Sequence, residues 1–383
     1  VRRERFALIA GGGTGGHVLA GLSVARALVR RGHPAATIEL VGSRRGQESA
    51  LLAGAGFPFV LLPGRGIVRR LRLRELVPNF VAASGLAAAT VWCLVRLARR
   101  RPAVVVSVGG YASLPAAAAA VVLRVPLVLV NLDAVPGAVH RLLGRWAAAS
   151  ALAFESTALP RSQVTGAPLR PEITEVTRSV QRRRQARAAL GLPEERRTIV
   201  VFGGSLGARR LNEAACVLAQ RWADRRDLTL YHITGTRDFA EVTRRTRRWR
   251  VDHPNAADAD GLCYRLVAFE DRMPLVYEAA DVAVCRAGAL TVAELAAVGL
   301  PAVLVPLPGA PGDHQSANAA VLARQGGAVV VPDGECDADR LEAVVGALVS
   351  DAGRLEAMAA AARAVGRPDA ADRVAELVVA HAR

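Results

Sequence analysis

Short runs of Val, Leu and Ile recur along the chain, and several are followed by apolar positions at helical spacing. The first set is FALIA (6–10), ATIELVG (36–42), FPFVLLP (57–63), AVVVSVGG (103–110), PLVLVN (126–131) and ALAFES (151–156). They lack the apolar–polar alternation of a half-exposed strand, as strands covered on both faces of a parallel sheet do. Helical spacing follows over 19–31 and 47–54. A polar, turn-rich passage, SQVTGAPLRPEI (162–173), then interrupts the pattern and leads into an arginine-rich helix. The strand runs restart as TIVVFGG (198–204), LTLYHITG (228–235), CYRLVAF (263–269), VAVCRAG (282–288), PAVLVPLP (301–308) and AVVVP (328–332), and the pattern over 339–383 is helical. This repetition predicts an α/β fold of two doubly wound, Rossmann-like domains. The expected domains are 1–165 and 166–366, with a terminal helix near 367–383 able to pack back on the first.

One apolar stretch breaks the frame. No residue over 76–95 is charged, and arginines stand before it (Arg65, Arg69, Arg70, Arg72, Arg74) and after it (Arg96, Arg99, Arg100, Arg101). About 20 residues suffice to span a bilayer. Pro78, Asn79 and Ser84 dilute the stretch and the α/β pattern continues on both sides, so a half-buried helix is expected. Such a helix would present an apolar patch ringed by arginines, suited to an anionic membrane surface.

Composition narrows the function. At 383 residues the chain exceeds one typical core. Its five cysteines are scattered without a CxxC, which suits a reducing compartment and gives no disulfide framework or metal site. The first residues lack the features of a signal peptide. A net charge of +16 invites a nucleic-acid reading, but the basic residues are all arginine and only 4% of residues are aromatic, so no nucleic-acid partner is expected. The absence of lysine excludes a Walker A loop and a pyridoxal Schiff base.

Two glycine loops carry the candidate chemistry. Gly11, Gly13 and Gly16 fit G-x-G-x-x-G between a strand and a helix, where free N–H groups and the helix dipole favour an anion. A dinucleotide site would also need an acidic residue after the second strand. Here Arg44 stands there and suits a 2′-phosphate, so an NADP-dependent oxidoreductase is one reading. The second loop, Gly203 to Ala208, offers backbone N–H groups and the Ser205 hydroxyl to a diphosphate. Glu294, early in a further helix, is either a helix-terminal carboxylate or an acceptor for ribose hydroxyls.

GGGTGGHV, SVGGYAS, AVPG, TGAPLRPEI, GGSLGARRLNEA, RAGALTVAE and DHQSANA occur in this order. Together they resemble the MurG family of peptidoglycan glycosyltransferases, within glycosyltransferase family 28, from about residue 6 to the last helices. The resemblance implies a GT-B fold with an interdomain cleft. It also implies transfer of N-acetylglucosamine (GlcNAc) from UDP-GlcNAc to undecaprenyl-diphospho-MurNAc-pentapeptide (lipid I), with inversion, no cofactor and no catalytic metal. The enzyme would be peripheral on the cytoplasmic face of the membrane. Carried over, Thr14, Gly15 and Gly16 belong to the acceptor loop, with His17 as base and Tyr111 nearby. Arg170, Ser205, Phe269, Ala289, Leu290, Thr291, Val292, Ala293, Glu294, Gln315 and Asn318 belong to the donor side.

The chain departs from the family pattern at several positions. Where the family reads His-Glu-Gln-Asn, this chain has Val130-Asn131-Leu132-Asp133. A later asparagine is His140, a glutamine is Leu206, and the asparagine of TGNPVR is Ala167. Asp133 is thus a second candidate for the base. A paralogue that binds nucleotide sugar without transferring it is the non-enzyme reading.

Overall fold

The computed structural model describes residues 5–44, 52–63, 73–204, 207–252 and 261–383. The chain forms two compact units, Val1–Arg170 with Arg367–Arg383, and Pro171–Gly366.

Among the described residues the first unit holds seven strands: β1 (Ala7–Gly11), β2 (Ile38–Ser43), β3 (Phe59–Leu62), β4 (Val104–Gly109), β5 (Leu127–Asn131), β6 (Ala149–Leu152) and β7 (Ser162–Val164). They pair in parallel in the order β3-β2-β1-β4-β5-β6-β7. Leu8, Val105, Leu127 and Leu129 pack against Ala117, Ala120, Cys93 and Leu97 of the covering helices. That two-sided burial explains the unbroken valine runs. The passage 162–173 is not wholly a linker, because its first residues form β7 beside β6. Ser162 and Gln163 are exposed on this edge strand, so no apolar run announced it. The terminal helix Ala370–His381 lies on helix Gly15–Arg30, where Arg30 pairs with Asp372 at 2.8 Å and Arg31 pairs with Glu376.

The second unit holds β8 (Arg197–Phe202), β9 (Leu228–Ile233), β10 (Cys263–Val267), β11 (Val282–Cys285), β12 (Ala302–Leu304) and β13 (Ala328–Val330). Their order, β10-β9-β8-β11-β12-β13, repeats the winding of the first sheet. In each sheet the direction of winding reverses between two central strands, β1 and β4 in one and β8 and β11 in the other. A crevice opens beyond the carboxyl ends of strands at such a switch point, where ligands of doubly wound sheets bind.

The apolar stretch 76–95 lies in one helix, Leu73–Arg99. Ala82, Leu86, Ala89, Cys93 and Leu97 form its buried face. Phe80, Val81, Val91, Trp92 and Val95 repeat at helical spacing on the other side, with Phe80 75% exposed. By length and composition Asn79–Arg99 could cross a membrane, but one face is part of the core. Arg65, Arg69, Arg70 and Arg72 lie outside the described residues.

Candidate functional site

In the first unit, β1 ends at Gly11 and the chain turns through Gly12 and Gly13 into helix Gly15–Arg30. Thr14 caps this helix in extended backbone, and its side chain makes no cap hydrogen bond. Its hydroxyl instead lies 2.7 Å from His17 Nδ1. First-turn N–H groups of the helix are therefore not taken by that cap. Gly110, just after β4, adopts φ +74, and a Cβ there would lie 1.8 Å from the Gly12 carbonyl oxygen. The two loops are thus in backbone contact. The contact sets Tyr111 against Gly13, with its hydroxyl 2.9 Å from Ser43 Oγ at the end of β2. His17 is half-buried and its Nε2 lies beside Gly109.

Behind His17 sits a buried polar relay. Asn131 Nδ2 donates to the Asp133 carbonyl at 2.6 Å, leaving Oδ1 to accept from His140 Nδ1 at 3.0 Å. His140 Nε2 must then accept from Ser107 Oγ, 3.2 Å away. Thr157 Oγ1 also reaches the Asp133 carbonyl, at 3.1 Å. Both ring nitrogens are used by the neutral form. Burial first, then the charge of nearby His17, pushes His140 down to about 4, against the opposing pull of the Ser107 backbone carbonyl, to which the protonated ring can donate. Asp133 is half-exposed on the loop this relay holds.

In the second unit, the loop after β8 runs through Gly203 and Gly204 to helix Arg209–Arg221. Ser205 and Leu206 lie outside the described residues. A Cβ on Gly207 (φ +79) would lie 2.0 Å from the Thr234 carbonyl oxygen, so this loop is pressed onto the end of β9. Helix Ala289–Val298, which contains Ala289, Leu290, Thr291, Val292, Ala293 and Glu294, starts after β11 with Gly288 as cap and no side-chain cap bond. The buried Tyr277 donates its hydroxyl to Glu294 Oε2 at 2.8 Å, which fixes the carboxylate's orientation. Asn318 is fully buried and donates to the Ala287 carbonyl, and Gln315 accepts from Leu307 N. Both brace the loops around that helix start. Phe269, 57% exposed, follows β10. Arg170 closes the first unit's main segment, half-buried, with its Nε buried and lacking a hydrogen-bond partner.

The geometry gathers Thr14, Gly15, Gly16, His17 and Tyr111 at one sheet edge. It gathers the Ala289–Glu294 segment with Gln315 and Asn318 at the corresponding edge of the other sheet. Sequence reading missed Ser43, Ser107 and Tyr277, which join the sites only through tertiary contacts and carry no local motif. Among the described residues, no group of three or more His, Cys, Asp and Glu could hold a metal ion.

The chain matches the glycosyltransferase family 28 N-terminal domain over residues 7–153 and the family's C-terminal domain over 198–374. The chain belongs to glycosyltransferase family 28. Two curated relatives are each named UDP-N-acetylglucosamine--N-acetylmuramyl-(pentapeptide) pyrophosphoryl-undecaprenol N-acetylglucosamine transferase. That of Desulforudis audaxviator is 38% identical, covering 97% of both chains. That of Acidothermus cellulolyticus is 41% identical, covering 97% of this chain and 96% of the relative. The crystal structure of Acinetobacter baumannii MurG aligns with a TM-score of 0.73 at 27% identity, covering 98% of this chain and 99% of that one. The family 28 chain therefore has the GT-B fold and stands with the MurG enzymes. A UDP-GlcNAc 2-epimerase from Neisseria meningitidis, 13% identical with a TM-score of 0.63, shares the fold alone. Family membership displaces the oxidoreductase reading, and Arg44 donates instead to the Leu61 carbonyl at 3.2 Å.

The buried histidines set a pH dependence. His140 in the first unit and His232 in the second are held neutral by burial, down to about 4 and about 3, from an ordinary value of 6.5. Below pH 6.5 the unfolded chain takes up protons that the folded chain does not, so stability falls as pH falls. The slope is about 1.4 kcal/mol per pH unit for each histidine. Urea unfolding at pH 7 and pH 5 should show this loss, and His140→Gln should make it shallower for the first unit. An unchanged slope in that variant contradicts a neutral buried His140.

Proposed function

We propose that the chain transfers N-acetylglucosamine from UDP-GlcNAc to an undecaprenyl-diphospho-MurNAc-pentapeptide acceptor, inverting the anomeric carbon. The observation that carries the reading is a repeated one: a glycine loop and a helix start without a side-chain cap stand at the switch point of each sheet. One such site per unit suits two diphosphate-bearing substrates. The second unit takes UDP, with the diphosphate at the Gly203–Ala208 loop and the ribose on Glu294, whose carboxylate Tyr277 orients. Gln315 and Asn318 hold the surrounding loops for the donor sugar, and Phe269 borders the base. Arg170 and Ser205 serve the donor phosphates. The first unit takes the acceptor's diphosphate at Gly11–Gly16, with Tyr111 supporting the loop.

The acceptor hydroxyl attacks the sugar's anomeric carbon, the bond to the UDP oxygen breaks, and the hydroxyl proton passes to a base. His17 suits that role. With Nδ1–H donating to Thr14 Oγ1, its Nε2 keeps a lone pair beside Gly109. Charge developing on UDP is met by backbone N–H groups and helix dipoles. Asp133, whose backbone carbonyl Asn131 holds, is the alternative base.

The exposed apolar side of helix Leu73–Arg99 rests on the cytoplasmic membrane surface, where a lipid-linked acceptor resides. Arg99, Arg100 and Arg101 at its end add attraction to anionic headgroups. The chain should therefore sediment with anionic vesicles and be released by high salt. Release by detergent alone contradicts a peripheral attachment.

Two substitutions test the division of labour. Glu294→Ala should weaken UDP binding by about 1–3 kcal/mol, the range for a hydrogen bond to a charged acceptor, and calorimetry reads this directly. Unchanged binding removes Glu294 from the donor site. His17→Ala should slow turnover by about 10²–10⁴, the usual contribution of a general base, with UDP affinity intact. A nearly silent His17→Ala together with an inactive Asp133→Asn transfers the base role to Asp133. A parent that binds UDP-GlcNAc but never transfers the sugar makes the chain a binding paralogue.

A further inference from the structure

On the second unit, the sheet edge opposite the donor loops carries a cavity of about 560 Å³. Its lining residues stand before the strands: Arg197 opens β8, Asp281 precedes β11 and Pro301 precedes β12. The donor loops follow the same strands. The length of a strand, about 13–20 Å at some 3.3 Å per residue, separates the two edges.

The cavity's floor is cationic. Arg183 and Arg187 converge there on one carboxylate, Asp281, and Arg178 lies beside them. Asp281 accepts from Arg183 on Oδ1 at 2.9 Å and from Arg187 on Oδ2 at 2.7 Å. Arg178 is left to the backbone: its terminal nitrogens donate to the Ala280 and Gly299 carbonyls, and its Nε is buried with no hydrogen-bond partner. Burial, opposed by Asp281 but aided by Arg183, Arg363 and Arg187, pushes the Arg178 guanidinium down to about 10. The protein thus holds three buried or half-buried cations against one anion.

The walls increase the imbalance. Arg197 and Arg363 also line the cavity, and among the described residues the charge of Asp227 acts on Arg197 from outside the lining. Glu194, Glu195 and Glu356 lie exposed at the rim. Glu195 meets the exposed Arg184 at 3.0 Å, a surface pair of little energetic weight. Charge-assisted bonds from planar guanidinium groups are the chemistry that selects phosphate oxygens. The volume lies within the range of small-molecule sites.

We propose that this cavity is a second ligand site of the chain, separate from the donor loops, that binds a phosphate- or diphosphate-bearing molecule through Arg178, Arg197 and Arg363. A free metabolite and a lipid headgroup share that chemistry, and the test separates them. The full chain, saturated with UDP, is titrated calorimetrically with inorganic pyrophosphate and, separately, with phosphatidylglycerol vesicles. Both titrations are repeated with Arg178→Gln and with the double variant Arg197→Gln/Arg363→Gln, whose exposed or half-exposed positions leave the floor intact. Binding at this site should weaken at least about tenfold in the variants, as expected for loss of a charge-assisted bond, while UDP affinity stays unchanged. Loss with pyrophosphate assigns a free phosphate ligand, and loss with vesicles alone assigns a headgroup. No binding of either probe, or equal binding by the parent and both variants, overturns the site.

Discussion

The first unit's site depends on one close approach, the backbone of Gly110 against the carbonyl of Gly12. The space there admits no side chain, since a Cβ would sit 1.8 Å from the carbonyl oxygen. Because the two loops touch, Tyr111 reaches Gly13 and Ser43, and Gly109 comes beside His17. The second unit uses the same device at Gly207, pressed to within 2.0 Å of the Thr234 carbonyl by the same measure. In each unit the glycine loop is held by backbone from the end of a neighbouring strand. In the first unit this fixes the start of the helix that follows before any ligand arrives, the condition under which fixed dipoles aid catalysis.

Behind each loop lies a buried neutral histidine in a closed set of hydrogen bonds. His232 takes the Tyr264 hydroxyl at 2.8 Å on Nδ1 and meets Asn212 Oδ1 at 3.0 Å through Nε2. Asn212 in turn donates to the Thr234 carbonyl, the same strand end that Gly207 contacts. His140 plays the corresponding part through Asn131 and Ser107. The same bonds join residues that the sequence reading set apart from the family pattern. Asn131 and His140 are hydrogen-bonded to one another, and Asn131 holds the backbone of Asp133. These positions form a mutually satisfied set, and a change at one alone would strand a buried polar group at a cost of about 1–3 kcal/mol.

Much of the fold was legible because burial on both faces writes a strand as an unbroken apolar run. Among the described residues eleven of the strands fall on such runs, β6 starts two residues ahead of its run and shares only Ala151 and Leu152 with it, and β7 has none, because a polar edge strand of three residues leaves no apolar trace. The glycine loops and the Ala289–Glu294 helix start were legible as well, since turn and helix-start chemistry is local. What could not be read was the company each residue keeps. Tyr277 reaches Glu294 across two elements, and Ser43 meets Tyr111 from another strand end. The cluster of Arg178, Arg183 and Arg187 around Asp281 shows in sequence only as an arginine-rich helix, because its carboxylate comes from a distant strand start.

On the proposed function, nucleotide-sugar binding is coupled to an acceptor carrying a lipid diphosphate. Release of UDP from UDP-GlcNAc, followed with and without lipid I, tests it most directly. UDP release should depend on the acceptor and yield one GlcNAc-modified lipid per UDP. UDP release at the same rate without acceptor, or none with it, would contradict the claim.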